Sequence, residues 1–166
     1  ARRPAPPDAT MVLFVRHGTT PTTGATLPGR AKGLHLADAG RAQAEAVAER
    51  LTPLAERIDA VYASPMERTR ETAAPIARAV GRRVRTDKGL LEADFGDWTG
   101  AELKRLSKLP EWRTVQRNPS GFRFPGGESF TEMQTRICTE LDRLRAAQAY
   151  PGDAERAALL QFQRSE

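Results

Sequence analysis

Short apolar runs alternate with amphipathic stretches along the first ninety residues of the chain. Residues 11–15 (MVLFV) form a continuous apolar run, which is typical of a strand buried on both faces of a parallel sheet. Residues 60–63 (AVYA) predict a second strand, and the alternating residues 82–86 (RRVRT) predict a third strand near an edge. Between the first two strands, apolar side chains recur at helical spacing from Asp38 to about Leu54, which predicts an amphipathic helix.

Three further helix starts are indicated by a Ser or Thr followed three residues later by Glu, the pattern of a capping box. The pairs are Ser64 with Glu67, Thr99 with Glu102, and Ser129 with Glu132. We expect the last of these helices to run to about Gln148. Residues 19–37 and 109–127 have little periodicity and several Pro, Asn or Gly residues, so they predict irregular loops.

The order strand, helix, strand, helix, strand predicts an α/β fold, a three-layer α/β/α sandwich with a mostly parallel sheet. We expect a single domain over residues 11–166, preceded by a disordered leader at residues 1–10 that contains three prolines. Ligands of such folds bind beyond the carboxyl ends of the strands. Two strand-to-helix connections, residues 15–18 (VRHG) and 63–68 (ASPMER), bring arginines to that edge.

Composition narrows the classes of function. No apolar run approaches the roughly 18 residues of a membrane span, and the first ten residues lack the apolar segment of a signal peptide, so we expect a cytoplasmic protein without a membrane partner. The single cysteine, Cys138, excludes an internal disulfide framework and a multi-cysteine zinc site. The net charge of +5 would suit nucleic acid, but the arginines are scattered and aromatic residues make up only 6% of the chain. A nucleic-acid binder is therefore a weaker hypothesis, and no nucleic-acid partner is expected.

His17, at the end of the first strand, is the main candidate for chemistry. Gly18 follows it and lets the backbone turn and a ligand approach closely. An imidazole can attack phosphorus when one ring nitrogen is unprotonated, and the phosphoryl oxygens then need fixed positive charge, for which guanidinium groups are suited. Arg16 is adjacent, and Arg68 or Arg70 lies near the start of a helix, where backbone N–H groups also favour an anion.

A leaving oxygen needs a proton donor, and Glu92 is the best-placed acid, with Asp94 and Asp97 as rivals. The ordinary alternative is a structural histidine, with the helix-start arginines paired to Glu67 and Glu71 on a solvated surface. On residue types alone, this alternative is favoured over phosphate chemistry.

Five segments favour phosphate chemistry over a structural histidine: VRHGTTPTTG, LADAGRAQA, ASPMERTRETA, LLEADFGDWTG and PGGESF. In this order, over about residues 11–147, they resemble the histidine phosphatase superfamily, also called phosphoglycerate mutase-like. The resemblance implies that His17 is a phosphorylated nucleophile, that Glu92 is the proton donor, and that neither a metal nor a cofactor is needed. It also implies a set of phosphate-binding residues, namely Arg16, Arg68, Thr20 and Thr23. Thr23 stands where asparagine is common.

About thirty-five residues separate Glu92 from Gly127. This length resembles the phosphatase branch of the family rather than the mutases, whose corresponding loop carries a long insertion. The resemblance therefore implies a phosphatase acting on a small phosphorylated substrate, with mutase-type phosphoryl transfer as an alternative. The sequence leaves the oligomeric state open, with a homodimer as one option.

The chain departs from the family pattern after about residue 148. The family places a second histidine on a later, central strand, but this sequence has no histidine after His35. Residues 154–166 (AERAALLQFQRSE) predict a short helix instead. We therefore expect a sheet without its middle strand and a segment missing around residues 149–158. A catalytically weakened phosphate-binding module is a further hypothesis.

Overall fold

A computed structural model describes residues 11–148 and 157–161, which form an α/β sandwich around a four-stranded parallel sheet. The strands are β1 (Met11–Val15), β2 (Ile58–Ala63), β3 (Val84–Thr86) and β4 (Ala157–Gln161), in the spatial order β1-β4-β2-β3. The predicted fold class and its first three strands are confirmed. The predicted leader at residues 1–10 lies outside the described residues.

The middle of the sheet is occupied by β4, a strand that the sequence pattern did not predict. Along its length β4 pairs in parallel with β1, from Met11↔Ala157 to Val15↔Gln161, and it pairs with β2 on its other side. The expectations of a short helix here and of a sheet without its middle strand are wrong. Alanine and leucine favour a helix locally, but two neighbouring strands offer backbone hydrogen bonds on both sides, and this tertiary context outweighs intrinsic propensity. Residues 149–156 of the predicted missing segment lie outside the described residues.

The described residues contain five α-helices: α1 (Asp38–Leu51), α2 (Glu67–Ala79), α3 (Leu103–Leu106), α4 (Pro110–Arg117) and α5 (Phe130–Gln148). Helices α1 and α5 have the predicted bounds to within a turn. The capping box at the start of α5 is confirmed: the Glu132 N–H donates to Ser129 Oγ over 3.1 Å, and the Ser129 N–H donates to Glu132 Oε2 over 2.9 Å. The predicted helix from Asp38 is also confirmed, although after Leu51 it continues as a 3₁₀ helix.

The other two capping boxes do not form. Helix α2 begins at Glu67 rather than directly after Ser64, and no side chain caps its start; the Thr69 hydroxyl donates to the carbonyl oxygens of Ser64 and Met66. Helix α3 begins at Leu103 without a side-chain cap. Helix α4 lies within residues 109–127, which were expected to be irregular. Pro110 begins this helix, and Asn118, Pro119 and Gly121 follow it, so the segment resembles a loop in the sequence.

Helices cover both faces of the sheet and give the three predicted layers. Ile58 and Val61 of β2 pack under α1 and α2 on one face. Ala60 and Tyr62 pack with Leu144 of α5 on the other. β1 forms one edge of the described sheet, and its Phe14 is 58% exposed, so the prediction of a strand buried on both faces is wrong.

A second apolar cluster stabilises the connection between β3 and α5. It consists of aromatic side chains in contact with one another: Phe95, Trp98, Trp112, Phe122, Phe124 and Phe130. This cluster gives residues 95–130 a core of their own beside the sheet. None of the helices in the described part of the chain is long and apolar enough to span a membrane.

Candidate active site

His17 lies just beyond the carboxyl end of β1, where the chain leaves the sheet. Its side chain is buried, and Nδ1 lies 2.7 Å from the carbonyl oxygen of Gly18. Because a carbonyl oxygen only accepts hydrogen bonds, Nδ1 carries the ring proton, and Nε2 of the neutral imidazole keeps its lone pair. Nε2 is buried and has no hydrogen-bond partner among the described residues. The ring therefore holds an unbonded, unprotonated nitrogen at the end of the strand.

The surroundings of His17 keep its ring neutral. Burial lowers the pKa of His17 below its usual value of 6.5, because the imidazolium form would lose hydration. The hydrogen bond to Gly18 acts in the opposite direction, while the positive charges of Arg68 and Arg16 lower the pKa further. At neutral pH the imidazole is accordingly in the form that can act as a nucleophile.

Thr72 of α2 connects the His17 turn to the helix that carries Arg68. The Gly18 N–H donates to Thr72 Oγ1 over 3.0 Å, and the Thr72 hydroxyl donates to the carbonyl oxygen of Arg68 over 2.8 Å. Sequence reasoning missed this residue, because a threonine inside a helix gives no signal of a long-range contact.

Arg68 is completely buried, whereas the rival Arg70 is exposed. One guanidinium nitrogen of Arg68, Nη2, donates to the carbonyl oxygen of Gly29 over 2.7 Å. Burial lowers the pKa of Arg68, and the charge of Glu92 opposes this effect. The charge of Arg68 acts on the pKa of both His17 and Glu92, so the three side chains lie near one another. Arg16 is exposed at its margin.

Thr20 and Thr23 form a compact turn after His17. The Thr20 N–H donates to Thr23 Oγ1 over 2.8 Å, and the two hydroxyl oxygens are 3.0 Å apart. These bonds let Thr23 hold the turn, while phosphate contact by either hydroxyl stays a prediction. A cleft of about 310 Å³ opens between this turn and α1, and its lining includes Arg16, His17 and Thr23 but neither Arg68 nor Glu92.

Glu92 lies in the loop that follows β3 and is only 5% exposed. Its Oε1 accepts the Ala93 N–H over 3.0 Å, and its Oε2 has no hydrogen-bond partner in the described part of the chain. Burial raises the pKa of Glu92 from 4.5 to about 7, although the Ala93 N–H and the Arg68 charge oppose the change. A carboxyl group with this pKa can both hold and release a proton near neutral pH.

The first rival acid is already engaged elsewhere. Asp94 accepts the Gly96 N–H over 3.0 Å and pairs with Arg30 at 3.4 Å. Each of its two carboxylate oxygens therefore already has a partner. Glu92 is therefore the better candidate of the two.

Three charged residues that sequence reasoning missed surround the backbone of Glu92. Arg30 and Arg136 donate to its carbonyl oxygen, and Glu128 binds both arginines. Glu128 could have been found, because it lies within the PGGESF segment that carries part of the family resemblance. The two arginines gave no signal, since each stands in an ordinary loop or helix sequence.

Comparison with known proteins extends these observations. Residues 12–153 match the sequence profile of the histidine phosphatase superfamily (branch 1). The uncharacterized protein Rv0525 of Mycobacterium tuberculosis (strain ATCC 25618 / H37Rv) is 40% identical over 147 residues, a match that spans 84% of this chain and 68% of that protein. Phosphoglycerate mutase-like protein 4 of Arabidopsis thaliana is 36% identical over 141 residues, spanning 82% of this chain and 61% of that protein.

A solved structure has the same fold. The mycobacterial glucosyl-3-phosphoglycerate phosphatase Rv2419c in complex with VO3 superposes with a TM-score of 0.80 at 26% sequence identity, covering 93% of this chain and 75% of that one. The profile match spans the segments that contain His17, Arg68 and Glu92. The chain therefore belongs to branch 1 of the histidine phosphatase superfamily.

Proposed function

We propose that the protein is a phosphatase that hydrolyses a phosphomonoester through a phosphohistidine on His17. The observation that carries this proposal is the hydrogen bond from His17 Nδ1 to the Gly18 carbonyl oxygen, while Nε2 is buried and has no hydrogen-bond partner in the described part of the chain. Nε2 is the atom to which the phosphoryl group would be bonded in the phosphohistidine. The neighbouring Arg68 charge and the Glu92 carboxyl supply the other two elements of the reaction.

The reaction has two steps. In the first, the lone pair of His17 Nε2 forms a bond to phosphorus while the bond to the ester oxygen breaks, and Glu92 gives its proton to that oxygen. In the second, water attacks the phosphohistidine, the N–P bond breaks, and Glu92 takes a proton from the water. Arg16 and Arg68 bind the phosphoryl oxygens with fixed positive charge, assisted by Thr20 and Thr23. No metal is required, since guanidinium groups carry the countercharge.

Mutase-type transfer is the second candidate, supported by the 36% identity to a phosphoglycerate mutase-like protein. Both activities would begin with the same phosphohistidine and differ in what accepts the phosphoryl group. With phosphoglycerate as substrate, a phosphatase releases inorganic phosphate, whereas a mutase returns an isomeric phosphoglycerate. Product analysis separates the two. A weakened module, suggested by the absence of a histidine after His35, would bind phosphate without releasing either product.

The decisive experiment measures hydrolysis of p-nitrophenyl phosphate in the presence of EDTA. His17→Ala is expected to abolish turnover and also the acid-labile radiolabel that a phosphorylated substrate leaves on the protein. His35→Ala is the matched control, because His35 is 57% exposed and pairs with Glu71 on the surface of α2. Turnover that survives in His17→Ala, or that disappears when EDTA is added to the wild type, would contradict the proposal.

A further inference from the structure

Arg136, on α5, uses its whole guanidinium group to hold the segment that leads to Glu92. Its Nε and Nη2 donate to the two carboxylate oxygens of Glu128, each over 2.9 Å. Its Nη1 donates to the carbonyl oxygens of Gly89 and Leu91, both over 2.9 Å, and Nη2 also reaches that of Glu92 at 3.4 Å. An arginine side chain has five N–H donors, and here five hydrogen bonds account for all of them.

Glu128 joins this arginine to a second one. Arg30 approaches Glu128 Oε2 at 2.9 Å with Nη2 and donates from Nε to the carbonyl oxygen of Glu92 over 2.9 Å. The same carboxylate accepts the Asp94 N–H over 3.0 Å. Burial opposes ionisation of Glu128, but its bonds to Arg136 and Asp94 and the two guanidinium charges outweigh burial and lower its pKa. The carboxylate therefore stays charged between the two arginines.

The position of the Glu92 carboxyl depends on this backbone. Among the described residues, only Oε1 has a hydrogen bond, and its donor is the N–H of the next residue, Ala93. That bond ties the carboxyl to its own loop and not to the rest of the site. In the described part of the chain, residues 88–92 form a 3₁₀ turn and a loop outside the strands, and Arg136 and Arg30 bind their carbonyl oxygens. A small shift of this backbone would move the carboxyl by a similar distance, and proton transfer is sensitive to such shifts.

The geometry points to Arg136 as a positioning residue for the proton donor: together with Glu128 and Arg30, it fixes the backbone of residues 89–92 so that the Glu92 carboxyl meets the leaving oxygen. This inference rests on the proposed function, which assigns the proton to Glu92. It adds residues whose hydrogen bonds go to one another and to the backbone of the loop. It also gives a reason for arginine at position 136, because lysine has only three donors and no planar fork to span a carboxylate and two carbonyl oxygens.

The test compares Arg136→Met, Arg136→Lys and the control Arg145→Met. Arg145 lies on the same helix and carries the same charge, but it pairs with Asp142 on the exposed surface. Each variant is assayed with p-nitrophenyl phosphate, whose leaving group needs no proton, and with an alkyl phosphate, whose leaving oxygen does. We expect Arg136→Met to lower turnover of the alkyl phosphate at least about tenfold more than turnover of the aryl phosphate. Arg145→Met should leave the ratio unchanged.

If Arg136 had a purely structural role, Arg136→Met would lower turnover of both substrates by the same factor, and that result would overturn the inference. Arg136→Lys guards against a variant that fails to fold, because it keeps the charge and most of the packing. We expect the lysine variant to unfold near the wild-type temperature and still to show the selective loss on the alkyl phosphate. If the lysine variant had the wild-type ratio of alkyl phosphate to aryl phosphate turnover, the geometry of the five hydrogen bonds would not matter for proton donation.

A second readout does not depend on turnover. The charged groups that face Glu92 are Arg68 from α2, Arg136 from α5 and Arg30 from the loop before α1. Titration of the Glu92 carboxyl by carbon-13 NMR should therefore show a higher pKa in Arg136→Met than in the wild type and no change in Arg145→Met. An unchanged pKa would overturn the inference even if the wild type proved inactive. Inactivity towards both substrates would instead contradict the proposed function.

Discussion

The backbone of Gly18 lies directly against that of Gly40, in the first turn of α1. A β-carbon at Gly18 would lie 2.3 Å from the Gly40 carbonyl oxygen, and one at Gly40 would lie 2.1 Å from the carbonyl oxygen of Thr19. Neither glycine has a positive φ, so the contact requires the absence of a side chain and not an unusual backbone conformation. The sequence suggested that Gly18 leaves room for a ligand, but α1 occupies the space where its side chain would lie.

This contact predicts the effect of Gly40→Ala. Helix propensity alone favours alanine in α1 by about 1 kcal/mol. The contact predicts the opposite sign, because the methyl group must push the turn after His17 away from the helix. We expect the free energy of unfolding to fall by about 1–3 kcal/mol and kcat to fall at least about tenfold. Urea unfolding and an aryl phosphate assay measure the two effects.

Gly81→Ala is the control for this substitution. Gly81 has φ +65° at the end of α2, with open space where a β-carbon would lie. Alanine there should cost about 1–2 kcal/mol of stability through backbone strain alone and leave kcat unchanged. A Gly40→Ala protein more stable than the wild type would show that the contact does not govern this turn.

Residues of the candidate site could be predicted where each lies beside a predicted strand or within a short motif that is visible in the sequence. His17 lies two residues after an apolar strand and Arg68 lies five residues after the next strand along the chain, so the parallel sheet brings both to one edge. Glu92 could be chosen because its segment resembles the family. Local pattern placed His17 and the two candidate arginines, Arg68 and Arg70, at this edge, and the family resemblance then selected Arg68 and Glu92.

The remaining features depend on contacts between distant segments. β4 is a strand because β1 and β2 lie on either side of it, which a local preference for helix cannot reveal. Arg136 binds carbonyl oxygens 44 to 47 residues away in the chain, and carbonyl oxygens are present in every residue. A single sequence contains no sign of which carbonyl oxygens an arginine will meet. For this reason the candidate nucleophile and the candidate acid could be chosen from the sequence, whereas the residues that hold them in place could not.

The pH dependence of turnover follows from two residues. Turnover should rise with pH through the pKa of His17, which lies below 6.5, because the nucleophile is the neutral ring. It should fall as pH passes about 7, where Glu92 loses the proton that it must donate. We therefore expect a bell-shaped profile for an alkyl phosphate, with its maximum on the acidic side of neutrality.

Glu92→Gln tests the alkaline side of that profile. The amide cannot donate a proton to the leaving oxygen, so kcat for the alkyl phosphate should fall by a factor of about 10²–10⁴ and the decline near neutral pH should disappear. The kcat for the aryl phosphate should fall much less, because its leaving group needs no proton. An alkaline decline that persists in Glu92→Gln would assign the proton to another group, with Asp94 as the first alternative.

Thr72→Val should weaken both the fold and the activity. The substitution keeps the shape of a fully buried side chain but removes the hydroxyl that accepts the Gly18 N–H. An N–H left without a partner in a buried position costs about 1–3 kcal/mol, and the turn that carries His17 loses its link to α2. Thr72→Ser retains the hydroxyl and is the control. Equal stability and equal kcat for the two variants would show that this hydrogen bond has no role.

Glu92 should also reduce the stability of the protein at alkaline pH. Its pKa is about 7 in the folded protein and 4.5 when unperturbed, so the folded state binds the proton more tightly. The stability that the protonated carboxyl provides is fully present below pH 4.5 and is lost as pH rises through 7. At about 1.4 kcal/mol for each pH unit, the loss is about 3 kcal/mol above neutrality.

The neutral amide of Glu92→Gln avoids this loss, so urea unfolding should find the variant more stable than the wild type at about pH 8 and similar to it at about pH 4. A difference that is the same at both pH values would mean that the Glu92 carboxyl is not the group responsible, whereas the predicted change would show that the protein retains an acid at a cost in stability.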